Sequence, residues 1–96
     1  SQYYGDGMTL RLDQLPYRTR AHVAQVDWAA LGEAEARRLR NLGLDEGVGV
    51  EALHGGPFGR DPLAVRIGRI TVAIRRVHAR IVTVEPEAAA PRLAAE

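Results

Sequence analysis

The chain has 96 residues, 46% of them hydrophobic, and 13 basic residues against 12 acids give a formal net charge of +1. That length bounds it to one small domain with a thin core, and the absence of cysteine excludes disulfide staples and thiolate metal sites. No apolar run approaches the roughly 18 residues of a membrane span, and the N-terminus lacks the basic patch and apolar core of a signal peptide. A soluble, cytoplasmic protein is expected.

Every basic residue is arginine, which reads as a codon bias towards Arg, Ala and Gly. The distribution of charge says more than its sum. From Asp27 to Glu51 six acids face Arg37, Arg38 and Arg40, a balance of −3; from Arg60 to Arg80 six arginines face Asp61 alone, a balance of +5. The second half therefore presents a basic surface.

Ser1 to Gly7 has no periodicity and precedes the only methionine, Met8; it reads as a leader outside the fold, added or disordered. Leu10, Leu12 and Leu15 make a short extended or turn-like entry closed by Pro16. Arg20 to Trp28 reads as a strand in which Val23 and Val26 break strict alternation, so a bulge or an end near Val26 is expected. Trp28 reads as an apolar plug at the rim of the core.

Gly32 to Asn41 reads as a short helix, with Glu33 and Glu35 in its first turn and Arg37, Arg38 and Arg40 towards its end, the order that suits the helix dipole. Ala36 and Leu39 share its apolar face, and Gly43 is placed to follow the C-cap. Val48 to His54 is the second strand. The segment HGGPFGRDP, three glycines and two prolines in nine residues, reads as a loop too punctuated for strand or helix.

Leu63, Val65 and Ile67 alternate with Ala64, Arg66 and Gly68, and Ile70, Val72 and Ile74 repeat the pattern. Between them Gly68-Arg69 places glycine at the first central position of a type II′ hairpin turn. Val77 to Ala79 suffices for one helical turn, Ile81 to Val84 is a closing strand, and residues 86–96, with two prolines and little periodicity, read as a disordered tail. The order is mostly β with a short helix. It fits a small five-stranded SH3-like barrel over residues 8–85, with the helix in the first long loop and near-closed edges.

The stretch Arg37–Val84 resembles the ferrous iron transport protein A (FeoA) family. Arg38-Leu39, Leu42-Gly43-Leu44, Glu46-Gly47 and Val50 carry the resemblance, followed by Pro57-Phe58-Gly59, Asp61-Pro62-Leu63, Ile67, Val72, Ile74 and Arg75, then Ala79, Val82 and Val84. Leu12 and Leu15 fit the family's opening, but Pro16-Tyr17-Arg18 stands where the family often has a glycine. The resemblance implies a cytosolic accessory protein of bacterial ferrous iron uptake, associated with transition metal ions. It would act by docking on the cytosolic GTP-binding domain of the permease FeoB and meet the membrane only through that partner. It brings no catalytic residues and no cofactor.

The residues themselves show no chemistry that contradicts this. His22, His54 and His78 lack a second ligand at helical spacing; His54 with Asp61 is the best pair, and ordinary surface histidine is the simpler reading, so no metal site is assigned. Ser1 is the only serine, and no lysine completes a phosphate loop. The contact surface expected for a partner is Pro57, Phe58, Gly59 and Arg60, with Arg75 and Arg76 as basic neighbours; Phe58 would alternatively cap the barrel's open end. The competing function is an SH3-like module of a metal-dependent transcription regulator, whose basic segment faces nucleic acid, although no attached helix-turn-helix supports direct reading of DNA. An open sheet edge also leaves room for homo-oligomers.

Overall fold

Alternation of apolar residues builds the sheet: Val50, Ala52, Leu63, Val65, Ile67, Val82 and Val84 are all at most 3% exposed. Each such valine, leucine or isoleucine side chain contributes about 1.5–3 kcal/mol by leaving water. The computed structural model describes residues 8–87. Its strands are β1 (Leu10–Arg11), β2 (Arg20–Val26), β3 (Gly49–Phe58), β4 (Asp61–Ile67), β5 (Ile70–Ile74) and β6 (Val82–Pro86). All neighbours are antiparallel, in the order β1-β6-β2-β3-β4-β5. Helix α1 (Glu33–Asn41) joins β2 to β3, and the single turn α2 (Arg76–Ala79) joins β5 to β6.

The class read from the sequence holds, mostly β with one short helix in the first long connection, but the sheet has six strands and does not close. β1 was hidden because two residues cannot show an alternation. It exists because Leu10 and Arg11 find Val84 and Thr83 on β6. β1 and β5 remain as edges. The leader 1–7 and residues 88–96 of the expected tail lie outside the described residues. Pro86 stands opposite Ala21, and the Glu87 N–H donates to the Arg20 carbonyl at 2.9 Å.

β2 ends at Val26 with a register shift between Val23 and Gln25, so both expected irregularities occur. Trp28 follows in a 3-10 turn, half-buried against the core, with the Arg40 guanidinium 4.2 Å from its ring centre. Helix α1 buries Ala36 and Leu39. It ends in a Schellman motif: the Leu44 N–H donates to the Leu39 carbonyl and the Gly43 N–H to that of Arg40, both at 3.0 Å, with Gly43 at φ +101°.

On its outer side Arg38 makes a two-pronged bond to Glu35, both prongs 3.0 Å, which holds the Glu35 carboxyl below its usual range. Nδ1 of His78 lies 3.2 Å from the same carboxylate without the alignment of a hydrogen bond. The second of these contacts links α1 to α2.

The largest departure from the sequence reading is the segment His54–Pro62. It is a hairpin. β3 runs through to Phe58, β4 starts at Asp61, and Gly59-Arg60 is the turn. The physical reason lies in two register shifts, between Ala52 and His54 and between Gly55 and Phe58, which absorb the residues that break alternation. Gly55 and Gly56 are where the strands crowd: a Cβ on Gly55 would sit 2.6 Å from Cβ of Arg60, and one on Gly56 would sit 2.6 Å from the Asp61 carbonyl oxygen. Their role is close approach of two backbones.

Candidate functional site

The residues singled out from the sequence lie around the tip of this β3–β4 hairpin, and the structure divides them. Phe58 is 80% exposed. It does not cap the end of the sheet and stands out as an apolar ring. Gly59 and Arg60 both have positive φ, +65° and +72°, the conformation of a type I′ turn. Arg60 therefore holds a backbone shape that costs a non-glycine residue about 1 kcal/mol.

Arg76 has a different role from that of a basic neighbour on the surface. Its backbone N–H donates to Oδ1 of Asp61 at 2.9 Å. Its guanidinium donates through Nε to the Arg60 carbonyl at 2.9 Å, through Nη1 to the Asp13 carbonyl at 3.1 Å and through Nη2 to the Tyr17 hydroxyl at 3.1 Å. One side chain thus ties the hairpin tip, the 3-10 turn Leu12–Gln14 and the Pro16–Thr19 turn to α2. Three of the five guanidinium N–H donors are thus engaged, and Arg76 fixes the frame that carries Phe58.

The Pro16–Thr19 turn also resolves the departure at Arg18. The Thr19 N–H donates to the Pro16 carbonyl at 3.3 Å, and Arg18 takes φ +66°, the conformation a glycine would supply. Its N–H donates to the Ala52 carbonyl at 2.7 Å, which seats the turn on β3. Tyr17, on this turn, and Val77, next to Arg76, are 40% and 50% exposed. Sequence reasoning passed over both. The signal for Val77 was an apolar residue between Arg76 and His78 in a turn too short to bury it.

The basic segment Arg60–Arg80 also separates by partner. Arg66 lies 3.8 Å from Glu51, and Arg80 lies 3.9 Å from an Asp13 carboxylate that Arg11 grips at 2.9 Å. Among the described residues, no carboxylate lies within ion-pair distance of Arg60, Arg69 or Arg75. Arg76 has none either, but two carbonyls and a phenol hold its guanidinium, so the exposed excess charge of the segment lies at Arg60, Arg69 and Arg75.

Other chemistry is sparse. Among the described residues no three His, Asp or Glu side chains gather as a metal would require. His54 is exposed, and Oδ1 of Asp61 already accepts from Arg76. His22 pairs through Nε2 with Glu85 at 2.8 Å across β2 and β6. A shallow groove of about 290 Å³ lies beside Arg20, Glu51, Arg66 and Glu87. No helix of the described residues is long and apolar enough to cross a membrane.

Comparison with known proteins gives the fold and the surface a context. The zinc-complexed FeoA of Stenotrophomonas maltophilia, described as a procaryotic SH3 domain protein and a candidate activating factor of ferrous iron transport, is 38% identical. It matches over 79% of this chain and 89% of its own with a TM-score of 0.67. The FeoA protein of Chlorobium tepidum is 33% identical, with 82% and 71% covered and a TM-score of 0.72. IdeR of T. acidophilum, at 15% identity and a TM-score of 0.67 over 34% of that chain, shares the fold alone. A search of curated proteins returns no match. The FeoA domain family itself matches residues 10–86, which contain every strand described above. The chain belongs to the FeoA family, small SH3-like proteins linked to ferrous iron transport.

Proposed function

We propose that this protein is a non-enzymatic accessory of bacterial ferrous iron uptake that docks on the cytosolic GTP-binding domain of a FeoB-like permease through the β3–β4 hairpin tip. The observation that carries the reading is Phe58, an 80% exposed ring on a hairpin braced by Arg76. An aromatic side chain held on a rigid support meets a pocket with little loss of conformational freedom. Pro57 and Gly59 shape the tip, and Arg60 and Arg75 supply charge that no carboxylate of the described chain offsets.

The test is capture of the purified chain by the permease's cytosolic domain. Phe58→Ala combined with Arg60→Ala should weaken capture at least tenfold while the amide spectrum stays folded. Unchanged capture would remove the tip as the docking surface. The competing nucleic-acid reading predicts tight, steeply salt-dependent binding to duplex DNA in the same preparation.

A further inference from the structure

The sheet ends in two edges of unequal length. β1 is two residues long, and the Arg11 N–H is accepted by Oε1 of Gln14 at 3.0 Å. β5 is five residues long. Ile67 and Ile70 flank its two-residue turn and form a hydrogen-bonded pair, so Val65–Val72 and Leu63–Ile74 are the next such pairs. The N–H and C=O groups of Thr71 and Ala73 therefore point away from the sheet. Among the described residues one group meets them: Nη2 of Arg38 donates to the Ala73 carbonyl at a long 3.3 Å.

An open edge of this kind is a template for another strand. Charge decides which strand. Arg69 and Arg75 bracket β5 and have no carboxylate within ion-pair distance among the described residues. A second copy pairing antiparallel through both outward residues would set Thr71 opposite Ala73, and the same register sets Arg69 opposite Arg75 at both ends. Like charges directly opposite destabilise a strand pair. A strand with acids at the corresponding positions turns both repulsions into attractions.

We propose that β5 is an acceptor edge for an extended, acid-flanked segment of a partner protein, with carboxylates six residues apart facing Arg69 and Arg75. The ladder forms through Thr71 and Ala73, and the incoming strand takes the place of Arg38 at the Ala73 carbonyl. Ile70, 43% exposed at the start of β5, adds apolar contact. The edge is a surface distinct from the Phe58 tip and does not depend on it.

The experiment uses the nitrogen-15-labelled chain and the peptide Glu-Val-Thr-Val-Thr-Val-Glu, with Lys-Val-Thr-Val-Thr-Val-Lys as its charge-reversed partner. The acidic peptide should slow hydrogen exchange of the Thr71 and Ala73 amides severalfold and bind at least ten times more tightly than the basic one. Thr71→Pro removes an outward donor while leaving the Ile70 and Val72 bonds to β4, and should abolish the protection of the Ala73 amide in a folded protein. Should that variant fail to fold, Arg69→Glu with Arg75→Glu reverses the preference between the peptides. Unprotected amides, equal binding of the two peptides, or self-association through β5 in the peptide-free protein would each overturn the proposal.

Discussion

Strand β4 carries a hairpin at each end, and the two are held by different means. At Gly68-Arg69 the glycine sits at φ +62° in the first central position, and alternation runs without a break from Leu63 through Ile74. That hairpin is local: its turn and both strands are specified within a dozen residues. At Gly59-Arg60 the second central residue is a non-glycine with positive φ, the pairing slips twice, and two glycines sit where no side chain fits. That hairpin leans on distant residues, through Arg76 and its bonds to Arg60, Asp13 and Tyr17. A turn that carries an exposed ring can thus be stiffened from outside rather than by its own sequence.

The sharpest way to break the contrast is Gly56→Ala. The added Cβ would meet the Asp61 carbonyl oxygen at 2.6 Å and Cδ of Pro62 at 2.8 Å. Neither is the end of a flexible side chain, so a loss of about 3 kcal/mol is expected in urea unfolding. Arg76→Ala comes next. Removing a charged donor from two carbonyls and a phenol should cost about 2 kcal/mol and broaden the amide signals of Phe58 to Arg60, whereas Arg75→Ala should stay within about 0.5 kcal/mol. Equal effects of the two arginine variants would sink the clamp.

The smallest effects distinguish the turns by sign. Gly68→Ala forces a side chain into a positive-φ site and should destabilise by about 1 kcal/mol. Arg60→Gly relieves one and should be neutral or stabilising by a few tenths of a kcal/mol, because glycine also frees the unfolded chain. Calorimetric midpoints that fall for both would show that the Arg60 side chain contributes more to the tip than its backbone costs.

The legible parts of the site were residue types. Phe58 and Arg60 stood out as an aromatic and a guanidinium in a glycine- and proline-rich segment, and the structure does expose them. Arg76 was equally visible as a charge, but nothing in the string Arg75-Arg76 says which of two adjacent arginines turns inward. That choice follows from α2, whose first turn aims the Arg76 backbone N–H and side chain at the hairpin while Arg75 stays at the N-cap. Tyr17 was illegible for the same reason, since Arg76, which donates to its hydroxyl, lies 59 residues away.

By itself the sequence determined what depends on near neighbours. It placed α1 and its glycine stop, the break in β2, the β4–β5 hairpin, the family and the basic second half. Periodicity, capping and turn chemistry act over one or two turns of chain, so they can be read from the letters. Only the tertiary structure decided the sixth strand, the hairpin inside His54–Pro62, the open edge at β5 and the role of Arg76. Each of these is set by groups far apart in the chain, whose contacts repay the ordering of irregular backbone that no local preference would hold.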